Sequence, residues 1–323
     1  MTTAMSTPAI TVKGLRKSFG DNLVLDGIDL EVATGTIFAL LGPNGAGKTT
    51  VVNILSTLIG SDAGDLTVRG HDVNRDPDSV RAAIGVTGQF SAVDNLLTGE
   101  ENVILMADLN HLPKPEGRRR AAELLKRFDL VDAAKKPAMT YSGGMRRRLD
   151  LAMSMIGDPQ IVFLDEPTTG LDPRSRRTMW QLIRELVAEG VTIFLTTQYL
   201  EEADELAHRI ALLDNGNIVA EGTPGELKRL VPGGHVLLRF ADARGLESAQ
   251  HLVGDGVRDD EALTLQVPSD GSLRSLKSLL DRLEDESIEV AELTVHTPDL
   301  DDVFLALTGH PAEEKQEETE AVK

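Results

Sequence analysis

An α/β core built on a largely parallel sheet is the fold class predicted by this sequence of 323 residues. Three observations lead there. Continuous apolar runs recur at Thr36–Leu41, Ile161–Leu164 and Val191–Leu195, each short enough to be a buried strand. Segments of helical spacing, Thr49–Leu58 and Met179–Leu186, alternate with those runs, as in a parallel sheet covered by helices. Hydrophobic residues make up 41% of the chain and charged residues 26%, so a core can be buried and wholesale disorder is excluded.

The elements follow in order. Residues 1–8 are expected to be flexible. Ile10–Val32 alternates apolar and polar residues between glycines and aspartates, which predicts antiparallel strands. The run Thr36–Leu41 leads into a glycine-rich loop and then a helix. Residues 94–135 read as mostly helical, with breaks at Pro113 and Pro115. Asp214-Asn215-Gly216 lies between two apolar runs and predicts a hairpin turn. Residues 231–323 carry a net charge of −13, against −6 for the first 230, and Pro232-Gly233-Gly234 marks that change. The expected division is therefore 9–230 and 231–311, with an acidic disordered tail at 312–323. The second domain reads as strand 235–240, helix 245–252, strand or hairpin 257–267, helix 272–284, strand 287–295 and helix 299–307. That is the order of a small α+β, ferredoxin-like split βαβ unit. Its second helix is expected to bury Leu273, Leu276, Leu280 and Leu283.

Composition narrows the function. No run of about 18 apolar residues occurs, so the chain is not expected to span a bilayer. Met1–Pro8 has neither a basic segment nor an apolar one, so no secretory leader is expected. The absence of cysteine excludes a disulfide framework and cysteine-ligated zinc. A formal net charge of −19 and few aromatic residues argue against nucleic acid as a partner. Arg118–Arg120 then reads as a solvated helix face, and Arg146–Arg148 as serving its own helix or an interface. The seven histidines are scattered and suggest no metal site. Glu201, Glu202, Asp204 and Glu205 read as the acidic first turn of a helix.

Two motifs carry chemistry. Gly42-Pro43-Asn44-Gly45-Ala46-Gly47-Lys48-Thr49, followed by Thr50, matches the phosphate-binding pattern G-x-x-x-x-G-K-[ST] between a strand and a helix. Its glycines let backbone N–H groups turn inward around phosphate oxygens, and the helix N-terminus adds its dipole. Lys48 is placed to reach the β- and γ-phosphates of a nucleotide, and the Thr49 hydroxyl to ligate Mg²⁺. Ile161–Leu164 then delivers Asp165 and Glu166 to the carboxyl end of a buried strand, where α/β sheets bind ligands. Asp165 is the expected Mg²⁺ partner, and Glu166 the base that polarises the attacking water.

Three further pieces complete a pattern. Gln89 lies 41 residues after Lys48, Tyr141-Ser142-Gly143-Gly144-Met145 opens a basic helix, and Pro167–Asp172 follows Glu166 directly. In this order residues 9–225 resemble the nucleotide-binding subunit of an ATP-binding-cassette transporter. Residues 231–311 resemble the C-terminal domain of daunorubicin-resistance-type exporter ATPases. The resemblance implies a RecA-like P-loop core with antiparallel and helical subdomains. It implies an Mg-dependent ATPase on the cytoplasmic face of the membrane, coupled to a separate transmembrane permease that exports a drug-like or hydrophobic molecule.

The implied roles fall residue by residue. Phe19 stacks on adenine, where the family more often has Tyr. Gln89 senses Mg²⁺ and the attacking water and links the site to the permease. Ser142, Gly143 and Gly144 bind the γ-phosphate of ATP held by a second subunit, so a dimer, on balance a homodimer, is implied. Asp172 communicates across that dimer. Phe90, Val93, Leu96 and Leu97 are either local core or a groove for a permease helix. Two departures stand out. Tyr141 and Met145 replace the usual Leu and Gln, and Gln198 stands where a histidine usually contacts the γ-phosphate. A soluble ATPase of repair or translation is the alternative. Repair relatives need a long coiled coil that the roughly 50 residues between Gln89 and Ser142 cannot hold, and translation relatives carry two cassettes.

Overall fold

The elements follow the chain as strand, turn and helix. The computed structural model describes residues 8–89, 92–231, 234–254, 256–269, 272–296 and 298–309. Strands β1 (Ile10–Phe19) and β2 (Asn22–Val32) form the predicted antiparallel pair. Strand β3 (Ile37–Leu41) leads into helix α1 (Lys48–Leu55). Then come β4 (Ala63–Val68), β5 (His71–Asp72), α2 (Pro77–Ala83) and β6 (Ile84–Thr87). Three helices follow: α3 (Gly99–Leu109), α4 (Lys114–Arg127) and α5 (Gly143–Ser154). The chain returns through β7 (Ile161–Asp165), α6 (Pro173–Ala188), β8 (Thr192–Thr197), α7 (Leu200–Leu206), β9 (Arg209–Asp214) and β10 (Asn217–Gly222).

The strands sort into two sheets. One is antiparallel, in the order β2-β1-β4-β5. The other has the order β10-β9-β3-β8-β7-β6 and is parallel except for β10. Every residue of β3, β7 and β8 is buried, which is why these strands read as unbroken apolar runs. Phe38, Phe194 and Phe163 pair across them with ring centroids 5.5 Å apart at each step. The carboxyl ends of β3, β7 and β8 therefore lie side by side, although residues 42–160 separate β3 from β7 in the chain.

Prolines behave differently from the simplest expectation. Pro115 does not break a helix; it lies in the first turn of α4, where the missing N–H costs nothing. Pro173 likewise opens α6 behind its Asp172 cap, so that helix starts six residues before Met179. Thr98 and Glu101 form a reciprocal capping box on α3. The β9–β10 turn is the predicted two-residue hairpin, with positive φ at Asn215 (45°) and Gly216 (77°).

The chain divides into two compact units, the second running from Gly225 to Pro311. The division falls a few residues before the charge boundary, near the short helix α8 (Pro224–Lys228). The second unit contains β11 (His235–Arg239), α9 (Ala243–Val253), β12 (Val257–Asp259), β13 (Thr264–Pro268), α10 (Leu273–Asp285), β14 (Glu292–His296) and α11 (Leu300–Thr308). Its sheet order is β12-β13-β11-β14 with all neighbours antiparallel, so β13 splits the β11–α9–β12 crossover. Leu246 and Ala249 of α9 and Leu279 and Leu283 of α10 pack with Val236, Leu238, Leu265 and Val267. One expectation is corrected here: Leu273 and Leu280 are exposed. The buried face of α10 runs through Leu276, Leu279 and Leu283, because Leu273 sits beside the Ser272 cap and Leu280 is turned about 100° from Leu279. Residues 1–7, 232–233 and 310–323, on which the flexible start, most of the linker and the acidic tail were placed, lie outside the described residues. Among the described residues no helix is long and apolar enough to cross a membrane.

Candidate active site

The site grows from the end of β3. Gly42 closes the strand, and its carbonyl accepts a hydrogen bond from Lys48 Nζ at 2.8 Å. The Pro43 carbonyl accepts another at 3.1 Å, so the lysine folds back over its own loop. Gly47 caps α1 with φ of 110°, a conformation that side chains resist, and an added Cβ there would lie 2.7 Å from Leu25 Cδ2. The α1 N-terminus is thereby left open to an anion.

Strand β7 supplies the carboxylates. The Thr49 hydroxyl donates to Asp165 Oδ2 at 2.9 Å, and the Thr196 hydroxyl on β8 donates to Oδ1. Glu166 follows in the left-handed region at φ 49°, strain of a kind found at functional sites. Its backbone N–H donates to the Thr196 carbonyl at 3.1 Å, and its Oε1 lies 3.5 Å from Lys48 Nζ. Lys48 is 4% exposed and Glu166 is 9% exposed, so water screens this pair weakly. A cavity of about 370 Å³ opens over them, lined by Val24, Asn44, Gly45, Gly47, Lys48, Thr49, Thr50, Gln89 and Glu166. Residues from four parts of the chain thus converge, with Gln89 exposed just beyond β6.

Other expected residues lie away from this cavity's lining. Phe19 is half exposed at the end of β1, with Lys17 Nζ 5.4 Å from its ring centre. Ser142 caps α5 by accepting the Met145 N–H at 3.2 Å, and Ser142 and Gly143 face solvent. Gly144 is required by a close approach, since a Cβ there would lie 2.9 Å from Ser175 Cβ on α6. Asp172 accepts from the Ser175 hydroxyl and from the Ser175 and Arg174 N–H groups, which hold its carboxyl below the usual range. Tyr141 is accounted for locally: it is buried, its hydroxyl donates to the Ala133 carbonyl at 2.8 Å, and it packs where only glycine fits at position 99. Gln198 follows β8, and its Oε1 is buried with no hydrogen-bond partner among the described residues. Val93 is buried and Leu96 is exposed, while Phe90 lies outside the described residues.

Two largely buried ionisable side chains were not singled out by the sequence. Arg147 on α5 donates to the backbone carbonyls of Gly88, Asp165, Glu166 and Pro167 at 2.8 to 3.0 Å. Burial pushes its guanidinium down, against the pull of Asp150 and Asp165. The basic run 146–148 was the only signal, and it could not say which arginine turned inward. Glu202 lies with Glu201 in the first turn of α7, as expected, whereas Asp204 and Glu205 fall beyond that turn; Glu202 itself is fully buried. Its Oε1 accepts from the Thr168 hydroxyl at 2.8 Å and from Trp180 Nε1 at 3.0 Å.

Burial pushes the Glu202 carboxyl up, against hydrogen bonds from Thr197, Thr168 and Trp180. The folded chain therefore holds this proton at pH values where the unfolded chain releases it. The resulting stability is complete below about 4.5, the ordinary value, and is lost as pH rises through the higher folded value. Glu202→Gln keeps an oxygen acceptor and removes that loss. Its stability relative to the parent should increase between pH 5 and pH 8 in urea unfolding; a difference that stays constant would refute protonated Glu202.

Known proteins match this arrangement. A family model for the ABC transporter matches residues 25–169. The chain is 48% identical to a daunorubicin resistance ATP-binding protein of Streptomyces coeruleorubidus, over 94% of this chain and 96% of that protein. It is 46% identical to a daunorubicin/doxorubicin resistance ATP-binding protein of Streptomyces peucetius, over 98% and 97%. Among solved structures, a dimeric ATP-binding cassette in a post-hydrolysis state, bound to ADP and Pi, matches with a TM-score of 0.60 and 28% identity, over 66% of this chain and 98% of that one. Sequence identity across nearly the whole length thus joins the phosphate loop and the paired carboxylates. The chain belongs to the ABC transporter family, as an ATP-hydrolysing ATP-binding protein of the daunorubicin-resistance type.

Proposed function

We propose that this chain powers a separate membrane-spanning permease, on the cytoplasmic face of the membrane, which exports a drug-like or hydrophobic small molecule. The convergence of Lys48, Thr49, Gln89 and Glu166 on one cavity carries the catalytic half of this reading. The resistance named for its relatives supports the transport half.

The residues divide the work. Asn44, Gly45 and Gly47 cradle the phosphates, with Lys48 countering their charge and Thr50 at the rim. Phe19 offers its exposed ring to the adenine. Glu166 takes a proton from the attacking water, which Gln89 helps to orient. Mg²⁺ fits the donor set: the Thr49 hydroxyl and Asp165 carboxylate are hard oxygen ligands already within 2.9 Å of each other. When bound, the ion would neutralise developing phosphate charge.

Ser142, Gly143 and Gly144 serve a second copy of the chain. A capped but exposed helix N-terminus is suited to the γ-phosphate held by a partner cassette. Asp172, which caps α6 beside Gly144, then lies where closure of the pair can be sensed. The second unit braces that dimer. The test uses Glu166→Gln with ATP: light scattering should report a dimer that dissociates when ATP is removed, and a monomer at all nucleotide concentrations would overturn the sandwich. Truncation after Pro224 should weaken the dimer; unchanged dimerisation would refute the brace.

Gln198 sets the rate. Its amide can donate to phosphate but cannot take up a proton. Turnover should be slow, and Gln198→His should raise kcat and add a pH dependence near 6.5. An unchanged kcat would remove Gln198 as the limiting group.

A further inference from the structure

Helix α5 reaches the catalytic centre through a pair of side chains about one and two turns in from its N-terminus. Arg147 and Asp150 form an ion pair at 3.5 Å, with side chains only 11% and 4% exposed. Each also holds the Gln89 loop. Arg147 Nη1 donates to the Gly88 carbonyl at 2.8 Å, just before Gln89. Asp150 Oδ1 accepts the Ala92 N–H at 3.1 Å, three residues after it. The loop is therefore gripped on both sides of the glutamine, by one donor and one acceptor from the same helix.

The guanidinium also grips β7. Its Nη2 donates to the carbonyls of Asp165 at 2.8 Å and Glu166 at 3.0 Å, and its Nε to that of Pro167 at 2.9 Å. Successive carbonyls of an extended strand point to opposite sides. Three in a row can face one group only because the chain leaves the strand conformation at Glu166, where φ is 49°. The five N–H donors of the arginine thus meet five partners, namely four carbonyls and Asp150. Such an array offsets the backbone strain that aims Glu166.

We propose that Arg147 and Asp150 are positioning residues for hydrolysis: together they clamp the Gln89 loop and the Asp165–Pro167 backbone to the helix headed by Ser142. Movement of that helix, as when a partner's phosphate engages its N-terminus, is transmitted to both Gln89 and Glu166. Neither residue lines the nucleotide cavity, so the clamp acts on the rate and not on ATP affinity. The inference rests on the assignment of Glu166 and Gln89 to hydrolysis.

The test measures ATP turnover and ATP binding separately on the full-length chain. Arg147→Lys has three donors in place of five and cannot span the carbonyls. It should lower kcat by about 10²-fold, the cost of a misplacement near 1 Å, and leave the ATP Kd nearly unchanged. Asp150→Asn keeps the acceptor for Ala92 and removes the charge; it should lower kcat by a smaller factor in the same way, and it decides the matter if Arg147→Lys does not fold. In a Gln89→Ala background, Arg147→Lys should cost much less than in the parent, a coupling that general loosening would not produce. Parental kcat in folded variants, or equal losses in kcat and affinity, would overturn the clamp. Glu166→Gln assayed in parallel separates the two failures, since full activity there would overturn the underlying assignment instead.

Discussion

Glu166→Gln should reduce kcat by about 10²–10⁴-fold while ATP binding survives. Glutamine keeps the size and the left-handed backbone position but cannot accept the proton of the attacking water. It also removes a carboxylate from the cavity proposed to hold the phosphates. Like-charge repulsion is relieved there, and Lys48 loses the partner 3.5 Å away that competes with phosphate for it. The variant should therefore bind ATP at least as tightly as the parent. Single-turnover hydrolysis and equilibrium nucleotide binding measure the two effects separately. Retained turnover would remove Glu166 as the base.

The second large effect is expected for Lys48→Met, and it has the opposite signature. Methionine keeps most of the buried stem and discards the charge. Hydrogen bonds to charged groups contribute about 1.5–3 kcal/mol each, so ATP affinity should fall by about 10- to 150-fold. The loss extends to the apoprotein. Glu166, 9% exposed, is left without its counter-ion, and the Gly42 and Pro43 carbonyls lose their donor. Titration with a fluorescent nucleotide analogue measures the affinity. A Kd matching that of the parent would mean that Lys48 does not touch phosphate. The two substitutions together separate binding from chemistry within a single cavity.

Much of this site was legible before any fold was known, for a physical reason. The phosphate loop is contiguous, and its function depends on local backbone conformation that glycines permit. Asp165 and Glu166 were readable because a fully buried parallel strand announces itself as an apolar run, and ligands gather at its carboxyl end. Asp172 was placed on a dimer surface by resemblance alone; its hydrogen bonds reveal a helix cap, which Pro173 at the first helical position could have suggested.

Long-range partners were not legible. Arg147 reaches across 59 residues to Gly88 and 18 to Asp165. Three adjacent arginines look alike in sequence, and only packing decides that Arg147 turns to the carbonyls while Arg148 bonds Phe128 and Asp129. The burial of Glu202 within its acidic helix turn was not legible, because an acidic helix start is normally solvated. Nothing in its neighbours along the chain signals that Thr168 and Trp180 will surround it. The Leu273 and Leu280 error has the same origin, since two helical stripes fit one leucine pattern and the sheet selects between them.

The sequence by itself determined the α/β class, the phosphate loop, the carboxylate pair and the family, because each rests on short-range geometry or on an ordered set of motifs. Tertiary structure decided the rest: which strands lie side by side, how Gln89 and Glu166 come to line one cavity, and which side chains bond the backbone beside them. The strand order β3-β8-β7-β6 is not the chain order, and crossovers alone bring those carboxyl ends together. The partners of Arg147, Asp150 and Glu202 follow from that order, so no reading of neighbours along the chain could supply them.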